Sequence, residues 1–150
     1  MASGENNLNA KQAKRILIAA APASAQVLSS ILESDFELIF TDSIEHAGSH
    51  LGAGIDLIAC DTHFDDCRMF DLLRLSKANP ATRPIPFVCL RVVEGALDQT
   101  LYQSVDIASS ALGAAAFIDL FELKRKSGDE QAHKRLNRLI AQLASRSADF

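Results

Sequence analysis

Between Cys60 and Cys67 the chain gathers two thiols, the His63 imidazole and three carboxylates, Asp61, Asp65 and Asp66. These are ligand types that Zn²⁺ takes. A metal or redox module using Cys60, His63 and Cys67 is therefore one reading. Its spacing, Cys-x-x-His-x-x-x-Cys, has no partner cluster elsewhere in the chain. Cys60 also precedes Asp61 directly in an apolar run, where successive side chains point to opposite faces. Asp61 closes that run, and Arg91 closes another, Ile85 to Leu90. If the two runs are neighbouring strands, the guanidinium can pair the carboxylate bidentately. Arg91 is then the counter-ion of Asp61.

The elements that must position these groups are legible as an alternation. Arg15 to Ala19, Phe36 to Phe40, Ile55 to Cys60, Ile85 to Leu90 and Ala116 to Leu120 read as short buried strands. Helical spacing follows each one. Ser24 is placed to cap the first helix and Ser43 a short second one through Leu51. Further helices are expected over Arg68–Ala78, Asp98–Leu112 and Glu130–Ala144, with Gly113 as a C-terminal cap. Lys124-Arg-Lys126 reads as a solvated linker. Apolar strands alternating with amphipathic helices imply a doubly wound α/β fold with helices on both faces of a parallel sheet. The working site of such a sheet lies at the carboxyl ends of its strands.

Length and composition bound the function. The 150 residues suit one domain, over 15–145, between an N-terminal tail (1–14) and a short C-terminal tail (146–150). Hydrophobic residues make up 48% and the formal charge is −4, which argues against disorder and a nucleic-acid surface. No apolar run reaches the roughly 18–20 residues of a membrane span, and Met1 to Lys14 is not a usual signal peptide. Three cysteines at irregular spacing (Cys60, Cys67, Cys89) suit a reducing compartment, so a cytoplasmic protein is expected. No glycine-rich phosphate loop follows the first strand, and His46, His50 and His133 need no special role.

Several of these segments together resemble the receiver domain of bacterial two-component response regulators. Arg15-Ile-Leu-Ile-Ala-Ala-Ala-Pro22 is similar to its first strand and turn, and Ile55-Asp-Leu-Ile-Ala-Cys-Asp61 to its third strand. Phe70 to Arg74, followed by Asn79-Pro80-Ala-Thr-Arg-Pro84-Ile-Pro86, resembles the third helix and the approach to strand four. Ala111 to Ala114 with Phe117-Ile118 resembles the run into strand five. The resemblance implies a flavodoxin-like sheet of order 2-1-3-4-5 and makes Asp61 the phosphoacceptor position. It also exposes departures. The family's acidic pair corresponds to Ala19 and Ala20, its strand-four Thr or Ser to Arg91, and its strand-five Lys to Leu120 or its vicinity. The interval from Arg91 to Gly113 is longer than usual by about two helical turns.

Phosphoryl transfer needs its oxygen charge neutralised. With those groups replaced, the expectation is a stand-alone pseudo-receiver in a phosphorelay pathway, not an enzyme, with Mg²⁺ binding weak or absent. It would act by contact with a kinase or output protein, or as a homodimer, through the Asp98–Leu112 and Glu130–Ala144 faces. An atypical phosphoacceptor using Asp61 is the alternative.

Overall fold

The structure, a computed structural model, describes residues 13–52, 54–93 and 99–147. Residues 1–12 and 148–150, most of the two expected tails, lie outside the described residues. So does 94–98, within the lengthened segment. The elements run β1 (Arg15–Ala19), α1 (Pro22–Ile31), β2 (Glu37–Thr41), α2 (Ile44–His50), β3 (Leu57–Asp61) and α3 (Met69–Ala78). They continue with β4 (Phe87–Arg91), α4 (Gln99–Ala111), β5 (Ala116–Asp119), α5 (Leu120–Ser127) and α6 (Asp129–Ser147). All five strands pair in parallel, in the order β2-β1-β3-β4-β5. The expected fold class and strand order are thus observed.

Strand parity sorts the core into two layers. Ile16, Ile18, Leu57, Ala59, Val88 and Leu90 face Leu28 of α1 and Leu136 and Ile140 of α6. Leu17, Ile58, Cys60, Phe87 and Cys89 face Ala47 of α2 and Leu72 and Leu73 of α3. The central strands β1, β3 and β4 are buried on both sides because each side carries helices, which is why their sequences are so apolar.

Two expectations about helix ends fail. Ser24 does not cap α1. Ala21 is the N-cap, Pro22 begins the helix with its preset φ, and Ser24 is buried in the first turn. The segment expected to be a linker, Lys124 to Lys126, lies within α5. Asp119 starts that helix by accepting the Glu122 backbone N–H at 3.0 Å. Glu122 then pairs with Arg125 and Lys126 one turn on, and Gly128, at φ +83°, ends the helix. Ser43 does cap α2, its Oγ accepting from the His46 N–H, and Gly113 follows α4 at φ +103°.

A single amide ties the first helix to the last. Asn137 of α6 is buried. Its Oδ1 accepts the Glu33 N–H at 2.9 Å, and its Nδ2 donates to the Ile31 carbonyl at 2.9 Å. It thereby satisfies backbone groups that the end of α1 leaves over. Asn137→Ala strands both and is expected to cost about 1–3 kcal/mol in urea denaturation.

Candidate functional site

The carboxyl ends of β1, β3, β4 and β5 bring together the positions singled out in the sequence. Asp61 ends β3 and is fully buried. It pairs in register with Leu90 of β4 and shares the face of Leu57 and Ala59, toward α1. Neither of its carboxylate oxygens has a hydrogen-bond partner among the described residues. Burial pushes its pKa up from the ordinary value. The Ser24 hydroxyl, the His63 ring and the backbone N–H groups of Ala21 and His63 pull it part of the way back. None of them makes a hydrogen bond of good geometry to it. At the end of β1, Ala20 is buried in the layer that Asp61 faces, Ala19 is buried in the opposite layer with Cys60, and neither has an oxygen side chain. Leu120 opens α5 and is fully buried in the core layer shared with α1 and α6. No cation stands at its position.

Arg91 is not the counter-ion of Asp61. It ends β4 in register with Asp119 of β5, and its Nη1 donates to Asp119 Oδ2 at 3.0 Å. The Phe121 ring lies beneath the guanidinium, its centroid 4.8 Å away. The reason for the miss is parity. Asp61 pairs with Leu90, so Arg91, one residue on, leaves the sheet by the opposite face. There Asp119 is the carboxylate in register. The side chains of the pair are only 7% and 17% exposed, so the charges are shielded from water and depend on each other. Asp119 carries two tasks, one per oxygen: Oδ2 holds Arg91 and Oδ1 caps α5. Sequence reasoning missed Asp119, although Asp119-Leu-Phe-Glu122 has the form of a helix start.

The metal reading finds no support in the geometry. Among the described residues no three His, Cys, Asp or Glu side chains are grouped to hold a metal ion. Cys60 is buried in the layer facing α2 and α3, beside its register partner Cys89, and Cys67 is exposed. Burial pushes both buried thiols up, Cys89 to about 12, so neither is a thiolate at neutral pH. The loop after β3 instead makes a structural contact. Asp65, Asp66 and Cys67 turn through φ values of +42°, +56° and +64°, and Asp65 Oδ2 accepts the Ile44 N–H that opens α2 at 2.8 Å.

Two stability predictions follow from these environments. A carboxyl whose native pKa is raised destabilises the fold increasingly as pH climbs from its ordinary value near 3.9 to the native one. Asp61→Asn should be near neutral at low pH and gain on the order of 1 kcal/mol at neutral pH, read from urea midpoints across that range. Asp119→Ala should cost about 3 kcal/mol, because it removes both a carboxylate bonded to a buried guanidinium and the cap of α5. Thermal denaturation beside Arg125→Ala, an exposed control, measures it.

No family model matches the chain, and no curated protein matches it in sequence. Solved structures do match. The signal receiver domain of a histidine kinase from Syntrophus aciditrophicus is 25% identical, with a TM-score of 0.63, over 89% of this chain and 91% of that one. A sensor histidine kinase receiver domain from Pseudomonas aeruginosa, with magnesium coordinated in its active-site cleft, is 16% identical at a TM-score of 0.64, over 89% and 98%. A response-regulator receiver domain from Rhodospirillum rubrum is 21% identical at 0.59, over 83% and 89%. With the five-stranded order and the helices on both faces, these matches give the chain the fold of response-regulator receiver domains.

Proposed function

We propose that this chain is a signalling module of a two-component or phosphorelay pathway that acts by protein–protein contact, independently of phosphorylation. The observation that carries the reading is the environment of Asp61. Phosphorylation there would turn a buried carboxylate, which has no cation paired to it among the described residues, into a more highly charged acyl phosphate. Transfer to a carboxylate relies on charge neutralisation by metal and cationic side chains. Mg²⁺ keeps an octahedral shell of carboxylate, water and phosphate oxygens. A fully buried Asp61, with alanines in place of acids at the end of β1, is a poor fit to that shell.

What remains of a signalling surface is outward-facing. Ile107 of α4 is 73% exposed, an apolar side chain with no packing role inside the domain. No described helix is long and apolar enough to cross a membrane, and all three cysteines are free, which supports action in a reducing, cytoplasmic compartment.

Incubation with acetyl phosphate and Mg²⁺, followed by intact mass measurement, tests the reading. The mass is expected to stay unchanged. A phosphoryl adduct that disappears in Asp61→Asn would replace it with the atypical phosphoacceptor.

A further inference from the structure

β5 is the edge of the sheet, and a groove of about 480 Å³ runs beside it. Phe117, Ile118 and Asp119 supply its strand side. Glu122, Leu123 and Lys126 of α5 form one wall. Arg135, Arg138 and Leu139 lie on the facing wall, on α6. The groove exists because α5 starts directly at the end of β5 and turns back at Gly128 into α6.

The charges of this groove do not cancel. Its two carboxylates are already engaged. Asp119 holds Arg91 and caps α5, and Glu122 holds Arg125 and Lys126. Arg135 and Arg138 are exposed and have no carboxylate partner among the described residues. They stand at i and i+3 on one face of α6, beside the partly buried Leu139. An otherwise acidic chain, with a formal charge of −4, thus presents a basic rim around an apolar floor at an open strand edge. Uncommitted guanidiniums recognise carboxylates, and an open strand edge recognises extended backbone.

We propose that the groove between β5, α5 and α6 docks an extended segment of a protein partner that carries acidic side chains beside apolar ones. The acids meet Arg135 and Arg138, and the apolar side chains settle on Leu123 and Leu139. The proposal rests on the protein-contact reading above and adds the place and the chemistry of the contact.

Fluorescence anisotropy with a labelled alternating glutamate–leucine peptide tests it on the full chain. Saturable binding is expected, with lysine-for-glutamate and serine-for-leucine versions much weaker. Arg135→Glu with Arg138→Glu should lower affinity about tenfold or more, as for two partly exposed charge pairs. Both substitutions lie on an exposed helix face, and an unchanged thermal midpoint verifies the fold. Absence of saturable binding, or binding indifferent to the double substitution, would overturn the groove. Self-association of the free chain that the double substitution abolishes would assign the groove to a second copy and also overturn the proposal. A phosphoryl adduct at Asp61 with peptide binding intact would sink the phosphorylation-independent reading alone. Loss of peptide binding without any adduct would sink the groove alone.

Discussion

A guanidinium buried at the end of a strand must find a carboxylate, and the pleat of the sheet decides which one it can reach. Arg91 is in register with Asp119 and out of phase with Asp61. The ion pair therefore forms across β4 and β5, on the face away from Asp61. Because the same Asp119 caps α5, the position of β4 fixes where α5 begins. The turn into α6 at Gly128, and with it the groove at the sheet edge, follows from that starting point.

The two acids at the carboxyl edge show how environment separates chemically identical groups. Asp119 has a guanidinium on one oxygen and a backbone N–H on the other, so its charge is used twice. Asp61 is more deeply buried and has neither. Folding strips it of water without replacing the lost hydrogen bonds, a net cost to the fold at neutral pH. That cost falls at the carboxyl end of the sheet, where open α/β folds place their sites. In this chain Ala20 and the buried Leu120, on the same side of the sheet, offer Asp61 no charged help.

The fold was legible because its central strands are apolar on both faces and its helices carry periodic stripes, patterns that short windows contain in full. Ser43 and Gly113 were readable as caps for the same local reason. The partner of Arg91 was not. Register between β3 and β4 depends on loops and packing far along the chain, and an offset of one residue reverses the face. α5 was missed although its start signal, Asp119 followed by Glu122, lies in the sequence, because three consecutive basic residues read as solvated chain. Ser24 was misassigned because Pro22, placed to begin the helix, shifts the cap back to Ala21.

Asn137 reaches across 104 and 106 positions of chain to close the end of α1. Contacts of such separation are rewarded only after most of the loop-closure entropy has been spent. The α1–α6 clasp is therefore expected to close late in folding, once the sheet has brought α1 and α6 together. Interactions absent from the folding transition state govern how fast a domain comes apart rather than how fast it assembles. Release of α6 must then break the hydrogen bonds of the Asn137 amide together with the core contacts of Leu136 and Ile140.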